Sequence, residues 1–140
     1  MSQLTVPVEE FTTPNPVTVS EDATIDEMNQ LMKVHGVRHI PIIRNQRVVG
    51  VVSDRDCRIA AGLTQPEKRL VRASDIMAAD PVTVSGGETL DKVAFEMSAK
   101  KIGSVIVNDE NDKFLGIFTV TDALNALIEI ARASNEKESL

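Results

Sequence analysis

The chain contains one internal duplication, and this repeat constrains its fold more than any other feature. The pentapeptide Pro-Val-Thr-Val-Ser at residues 16–20 returns unchanged at residues 81–85, an offset of 65. Similar pairs continue along both copies, and after one inserted residue Asp56 corresponds to Asp122. Two copies do not make a solenoid, and each half is too small to bury its own core. We therefore predict two halves packed face to face about a pseudo-twofold axis.

Each half is predicted to contain a strand, a helix, two strands and a closing helix. Pro-Val-Thr-Val is a β-branched extended segment entered through proline. Thr24, with Glu27 three residues later, has the form of a capping box for the next helix, and Gly36 is placed to end it. Two β-rich runs follow, and a closing helix starts near Asp56 or Asp122. The predicted fold class is α/β, in the α+β sense, with two β-α-β-β-α repeats packed sheet to sheet.

The repeat divides the chain into two domains. We assign residues 1–62 to the first repeat with an N-terminal segment, and residues 74–133 to the second repeat. Residues 63–73 are predicted to be a linker because this stretch contains residue types that interrupt regular structure. Residues 134–140 are polar and are expected to fray.

Composition and charge exclude several classes of partner. The formal net charge of −6 repels nucleic acid, and a chain with no Trp or Tyr and four Phe offers few platforms for base stacking. No apolar run is long enough to span a membrane, and residues 1–10 lack the features of a secretory signal. Cys57, the only cysteine, excludes an internal disulfide. We expect a cytoplasmic protein that binds neither nucleic acid nor membranes.

The pattern Gly-x-x-Ser/Thr-x-x-Asp occurs in both repeats, where a predicted strand meets the closing helix. Glycine permits close backbone approach, and amides at a helix N-terminus favour an anion. Ser53 or Thr119 can bind a phosphate or ribose oxygen, and Asp56 or Asp122 can accept both hydroxyls of a ribose. The alternative is that these side chains only cap their helices, which needs no ligand. The same spacing in two copies favours binding.

This ordered set of features resembles the CBS domain, present twice. Pro-Val-Thr-Val, an amphipathic helix, the run at residues 39–42 and Gly-x-x-Ser/Thr-x-x-Asp are similar to that family's pattern, as is Ser-Asp-Ile-Met at residues 74–77. The resemblance covers roughly residues 11–133. It implies clefts between two domains that take AMP, ADP, ATP or S-adenosylmethionine, with Mg²⁺ as an option for a polyphosphate. It also implies that Asp56 and Asp122 bind ribose.

The resemblance further implies a homodimer that controls a separately encoded enzyme or transporter. The adenine is expected against Thr18 and residues 40–42 in one cleft, and against Thr83 and residues 104–106 in the other. The candidate ligand-binding residues are Thr18, Arg38, His39, Ile40, Pro41, Ser53, Arg55, Asp56, Thr83, Ser104, Val105, Ile106, Thr119, Thr121 and Asp122.

The two halves differ in charge, because cations are concentrated between residues 33 and 58. The first half is therefore better suited to bind a phosphate, chiefly through Arg38, His39 and Arg55. This difference predicts two unequal clefts, one of them empty or occupied by a less charged ligand.

Neither a metal site nor catalysis is predicted. His35 and His39 are four residues apart, but Gly36 ends the helix between them and no third ligand is near in sequence. No nucleophile elbow, Walker loop or His-Glu-x-x-His pattern is present. We expect no enzyme activity and no required cofactor. The alternative function is a ligand-independent dimerisation or protein-docking domain.

Overall fold

The computed structural model describes residues 5–139 of the chain, and their side chains up to residue 136. They form two compact units. The first-repeat unit is residues 16–81, and the second-repeat unit combines the residues before 16 with those from 82 onward. In chain order the elements are a 3₁₀ turn (Val8–Glu10), β1 (Thr13–Pro14), β2 (Val19–Ser20), α1 (Ile25–His35), β3 (His39–Arg44), β4 (Arg47–Ser53), α2 (Asp54–Ala60), α3 (Gln65–Leu70), α4 (Ala73–Ile76), β5 (Ala78–Ala79), β6 (Thr83–Ser85), α5 (Leu90–Lys100), β7 (Ser104–Asn108), β8 (Phe114–Thr119) and α6 (Val120–Ser139).

Each unit contains one four-stranded sheet of the same topology. The strand order is β2-β3-β4-β5 in the first-repeat unit and β1-β8-β7-β6 in the second-repeat unit. The pairs β2–β3 and β6–β7 are parallel, and all other neighbours are antiparallel. Each parallel pair is joined by a helix, α1 or α5, as a parallel connection requires. The predicted α/β fold with a β-α-β-β-α order in each repeat is confirmed.

The first helix of each repeat begins and ends at equivalent positions. The Thr24 hydroxyl accepts a hydrogen bond from the Glu27 amide at 3.1 Å, which is the N-cap half of the predicted capping box; the described hydrogen bonds do not include the reciprocal one from the Thr24 amide to Glu27. Gly36 ends α1 in the left-handed conformation, with φ of 63°. Lys101, the equivalent of Gly36, ends α5 with φ of 56° without being a glycine. The buried residues of α1 and α5 share one face and form the core with the sheet of their own unit.

The compact units differ from the sequence repeats in one respect: each contains the segment that precedes the other repeat. Val8 and Ala73 are fully buried, Val8 in the core of the second-repeat unit and Ala73 in the core of the first. β1 pairs with β8, and β5 pairs with β4. Residues 5–15, which we assigned with the first repeat, therefore fold with the second. Residues 74–81, assigned with the second repeat, fold with the first. Residues 1–4 lie outside the described part.

Each segment that folds with the other repeat is followed by a turn, and a residue with positive φ lies at that turn. Asn15 has φ of 45° and Asp80 has φ of 51°, and each is followed by the proline that opens the repeat. Asn and Asp tolerate this left-handed conformation better than other residues with a side chain. We call residues 5–15 and 73–79 the lead-in segments.

The predicted linker is more ordered than its composition indicates. Within residues 63–73 the chain forms α3, and Thr64 and Glu67 make a complete capping box at its start. Pro66 lies in the first turn, where its missing amide costs no helical hydrogen bond. The tail after residue 133, which we expected to fray, has a helical backbone as far as Ser139, where α6 ends. Ala, Glu, Lys and Arg are strong helix formers and maintain it.

A glycine in each repeat is required by the close approach of a lead-in segment. A Cβ atom on Gly116 would overlap the carbonyl oxygen of Thr13 and lie 2.9 Å from its carbonyl carbon. A Cβ atom on Gly50 would overlap the sulfur of Met77 and lie 2.7 Å from its Cγ. Gly116 thus faces rigid backbone, whereas Gly50 mainly faces a flexible side chain.

We expect Gly116→Ala to lower the free energy of unfolding by about 2–3 kcal/mol, because the Thr13 backbone must move. Gly50→Ala should cost about 1 kcal/mol, because Met77 can change rotamer. Gly62→Ala is the control, since its Cβ would meet only ordinary contacts, the nearest at 3.7 Å. Urea unfolding of the three variants measures the difference. Equal losses for Gly50→Ala and Gly116→Ala would contradict the backbone explanation.

Candidate functional site

In the first repeat, Ser53 and Asp56 form a closed hydrogen-bonded pair at the start of α2. The Asp56 carboxylate accepts the Ser53 amide at 2.9 Å and the Ser53 hydroxyl at 3.0 Å, both at Oδ2. The Asp56 amide donates to the Ser53 hydroxyl at 3.2 Å. This is a capping box, so the capping function that the sequence left as an alternative is present. The box also holds the carboxylate in one orientation at the partly buried end of β4.

In the second repeat, Thr119 and Asp122 reproduce this arrangement. Oδ2 of Asp122 accepts the Thr119 amide at 2.9 Å and the Thr119 hydroxyl at 3.1 Å, and the Asp122 amide donates to that hydroxyl at 3.3 Å. The carboxylate has one further partner here, the hydroxyl of Thr13, which lies 3.2 Å from Oδ1 and 3.4 Å from Oδ2. The two aspartates are therefore equivalent in backbone position but not in hydrogen bonding.

Strand register brings one further predicted residue of each repeat to the end of the sheet that carries the motif. His39 is the register partner of Ser53, and Ser104 is the register partner of Thr119. Thr83 pairs with Ile106, two residues farther along β7 than Ser104. The register therefore places His39 and Ser104, but not Thr83, at the strand ends where the aspartates follow.

The side chains predicted to line the adenine are mostly buried. Ile40 and Val105 have no exposed surface and belong to the cores that pack against the helices. Pro41 and Ile106 alternate with them, lie on the opposite face of their sheets, and are also buried. The side chains of Ile40 and Val105 are therefore core residues, and only the backbone of these two positions remains a candidate contact. Thr18 is exposed at the edge of β2.

The role predicted for the motif glycines needs correction. Gly50 and Gly116 were expected to let a ligand approach the backbone. In the structure, the space beside each glycine is filled by a lead-in segment, by Met77 in one unit and by Thr13 in the other. Glycine is required there because a strand pairs against it.

The two repeats differ in charge at equivalent positions around the aspartate. Arg38 and Arg55 are exposed in the first repeat, and His39 is half-buried. Their equivalents in the second repeat are all uncharged: Gly103, Thr121 and Ser104. The difference in charge between the repeats that the sequence predicts therefore includes the positions beside the Ser/Thr-x-x-Asp motif.

His39 and Cys57 have pKa values shifted by their surroundings. Burial lowers the pKa of His39 below its ordinary 6.5; the carboxylates of Asp54 and Asp56 oppose this shift, and Arg38 adds to it. Burial raises the pKa of the Cys57 thiol, and the same two carboxylates raise it further. Cys57 is thus a small buried core residue and not a reactive thiolate.

Thr13 was not among the residues predicted from the sequence. This residue reaches Asp122 across 109 positions of the chain, and only the exchange of lead-in segments brings the two together. Its equivalent in the first-repeat unit is Ala78, as the register pairs Thr13–Ile117 and Ala78–Val51 show.

Neither a metal cluster nor a membrane helix is found in the described part of the chain. Between residues 5 and 139, no group of three or more His, Cys, Asp or Glu side chains is arranged to hold a metal ion. No helix in that range combines the length and apolar character needed to cross a membrane.

We expect the lowered pKa of His39 to appear in the pH dependence of stability. The unfolded chain binds a proton at His39 near pH 6.5, whereas the folded chain does so only at lower pH. The stabilising contribution of neutral His39 is therefore complete above pH 6.5 and is lost as the pH falls through the folded pKa. His39→Gln should lose less stability than the wild type between pH 7.5 and 5.5. His35→Gln, at an exposed position, is the control and should follow the wild type in urea unfolding. Identical slopes for His39→Gln and wild type would refute this.

Comparison with known proteins places these motifs in a family. The family model of the CBS domain matches residues 8–62 and again residues 73–129. The chain is similar to a putative acetoin utilization protein, AcuB, of Vibrio cholerae, with 28% identity, a TM-score of 0.81, and coverage of 95% of this chain and 98% of that one.

Two further similar structures contain ligands. The structure of CBSX2 in complex with AMP is 25% identical, with a TM-score of 0.73 over 89% of this chain and 98% of that one. The CBS domain pair of protein MJ0100, in complex with 5-methylthioadenosine and S-adenosyl-L-methionine, is 26% identical, with a TM-score of 0.73 over 94% of this chain and 97% of that one.

The curated relatives include larger proteins. Inosine-5'-monophosphate dehydrogenase of Korarchaeum cryptofilum is 31% identical over 114 residues, which cover 81% of this chain and 23% of the enzyme. This chain thus spans about a quarter of that relative's length. Because the family model matches most of the chain in two consecutive copies, the chain belongs to the CBS domain family and carries a pair of these domains.

Proposed function

We propose that the chain is a regulatory module that binds an adenine nucleotide or another adenosyl ligand through the Ser/Thr-x-x-Asp motifs of its two repeats. The observation that carries this proposal is the oriented carboxylate that follows the motif strand in both repeats, Asp56 and Asp122. A fixed carboxylate can accept both hydroxyls of a ribose. AMP, S-adenosylmethionine and methylthioadenosine, the ligands of two similar structures, share an adenosine with such a ribose.

The capping box leaves Asp56 able to bind a ligand. A carboxylate offers about four lone-pair sites, and the described hydrogen bonds that the Asp56 carboxylate accepts both end on Oδ2. Oδ1 is the natural acceptor for a ribose hydroxyl. Capping and binding are therefore compatible, because one oxygen orients the group and the other receives the ligand.

The charge difference assigns a phosphate to the first repeat. Arg38 and Arg55 are exposed near Asp56, and the described ion pairs do not include either of them. An arginine can hold a phosphate through two parallel hydrogen bonds. The second repeat has no cation at the equivalent positions, so it suits the uncharged part of an adenosyl ligand. A polyphosphate would bring Mg²⁺ with it, and the module itself requires no cofactor.

The ligand would act on geometry or on partner affinity, not on a reaction. A ligand shifts a conformational equilibrium only when it binds one state better than the other. The regulated partner is a second copy of this chain or a separately encoded enzyme or transporter. We place the protein in the cytoplasm, where adenosyl ligands are present.

Helix α6 supplies a surface for a second copy. One of its faces packs into the core of its unit through Ala126, with Ala123 and Ile130 beside it. A second apolar face is exposed, with side chains spaced at i, i+4, i+7 and i+8: Val120, Leu124, Leu127 and Ile128. Such a stripe on a surface helix is typical of an interface, and its self-complementary packing favours a twofold dimer.

Thermal-shift measurements with AMP, ADP, ATP and S-adenosylmethionine test the binding proposal. We expect at least one of them to stabilise the wild type, by about 2.7 kcal/mol at 100 times its dissociation constant. Asp56→Asn should remove most of the shift of the nucleotides. Asparagine retains an oxygen for the Ser53 amide but loses the charge and one acceptor, so the cap survives.

Asp22→Asn is the control for charge, because Asp22 is exposed and lies outside the motif. It should keep the full ligand shift. If no adenosyl compound stabilises the wild type, the ligand-independent docking function replaces the sensor.

Light scattering after size exclusion tests the dimer. Leu124→Ser combined with Leu127→Ser should convert a dimer to a monomer, because the two side chains lie at the centre of the exposed stripe. Leu70→Ser, at an even more exposed leucine on α3, should leave the mass unchanged. A monomeric wild type would contradict the assignment.

A further inference from the structure

The hydroxyl of Thr13 occupies the part of Asp122 that a ligand would need. Oδ2 of Asp122 already accepts two hydrogen bonds from Thr119, and the Thr13 hydroxyl lies 3.2 Å from Oδ1 and 3.4 Å from Oδ2. Three protein donors therefore converge on this one carboxylate. A ribose that approaches Asp122 must share Oδ1 with Thr13 or displace it.

The first repeat provides an internal comparison in the same molecule. Ala78 stands at the position equivalent to Thr13, since Ala78 pairs with Val51 as Thr13 pairs with Ile117. A methyl group cannot donate to Asp56. Two sites with the same backbone thus differ by one hydroxyl on the lead-in segment.

The backbone around Thr13 holds this hydroxyl in place. β1 pairs with β8, and the Asn15 amide donates to the Leu115 carbonyl at 3.3 Å. Val8, at the other end of the lead-in segment, is fully buried in the core of the unit. Because the segment is anchored on both sides, the Thr13 hydroxyl loses little entropy when it binds Asp122.

We propose that Thr13 is a latch on Asp122: its hydroxyl competes with an adenosyl ligand, so that ligand binding at Asp122 and docking of residues 5–15 oppose each other. The inference rests on the proposed function, because it takes Asp122 as a ribose acceptor. A protein hydrogen bond of this kind changes an equilibrium by about three- to tenfold. Linkage is reciprocal, so ligand at Asp122 loosens the lead-in segment by the same factor. Thr13 acts through Asp122 and is a positioning residue.

Titration calorimetry with AMP and with S-adenosylmethionine measures the competition. An Asp56→Asn background restricts binding to the second repeat, and there Thr13→Val should tighten binding by about three- to tenfold. Valine keeps the shape of threonine without the hydroxyl. Thr13→Ser keeps the hydroxyl and should bind as Asp56→Asn alone does.

A complementary experiment introduces the threonine hydroxyl at the equivalent position of the first repeat. In an Asp122→Asn background, Ala78→Thr should weaken binding at Asp56 by a similar factor, and Ala78→Val should not. Unchanged or weaker binding by Thr13→Val would overturn the latch, because the hydroxyl would then be neutral or helpful to the ligand.

Hydrogen exchange in the absence of ligand tests the Thr13–Asp122 contact independently of the proposed ligand binding. The Asn15 amide should exchange about three- to tenfold faster in Thr13→Val than in wild type or Thr13→Ser, because the lead-in segment is held less firmly. Equal exchange rates overturn the latch even if ligands bind. If exchange differs but neither AMP nor S-adenosylmethionine binds any variant, the proposed function fails, and with it the competition at Asp122.

Discussion

The pairing of each lead-in strand with the strand that carries the glycine motif is the contact on which the rest of the structure depends. β1 lies against β8 and β5 against β4, and a Cβ atom would overlap the Thr13 backbone at Gly116 and the Met77 side chain at Gly50. The same segments place Val8 and Ala73 in the two cores. Neither repeat completes its sheet from its own consecutive residues. Folding therefore couples the two repeats through the chain itself, since every unit needs a segment from before the other repeat.

This pairing also determines where the chemistry lies. The motif strand ends beside its lead-in strand, and the closing helix begins there with a hydroxyl and a carboxylate three residues apart. The two units have the same backbone geometry at this place. Their hydrogen bonding differs, because the lead-in residue is Thr13 in one unit and Ala78 in the other. The charges also differ beside the motifs, because Arg38 and Arg55 of the first repeat correspond to the neutral Gly103 and Thr121 of the second.

Local patterns predicted the parts of the fold that neighbours in sequence determine. The cap at Thr24, the left-handed end of α1 at Gly36 and the helix start before Asp56 were all visible in short segments. The exchange of lead-in segments was not, because the buried positions Val8 and Ala73 carry no periodicity that assigns them to a distant core. The predicted linker still formed α3, since Thr64 and Glu67 make a capping box and Pro66 lies in the first turn of the helix. The repeated spacing predicted the capping geometry at Asp56 and Asp122, and their role in ligand binding stays a prediction, whereas the Thr13 contact required the tertiary structure.

Capping and ligand binding, which the sequence presented as alternatives, are compatible roles for one carboxylate under the proposed function. A helix cap needs a carboxylate oxygen held toward the backbone amide, and a ribose needs an oxygen held away from it. In Asp56 the capping box uses Oδ2 and fixes the orientation of the whole carboxylate, so the proposed ribose contact falls to Oδ1. The cap therefore lowers the entropic cost of binding by fixing the rotamer before the ligand arrives. The same reasoning explains how a third donor can regulate such a site: in Asp122 the oxygen that the cap leaves open is the one that Thr13 approaches most closely.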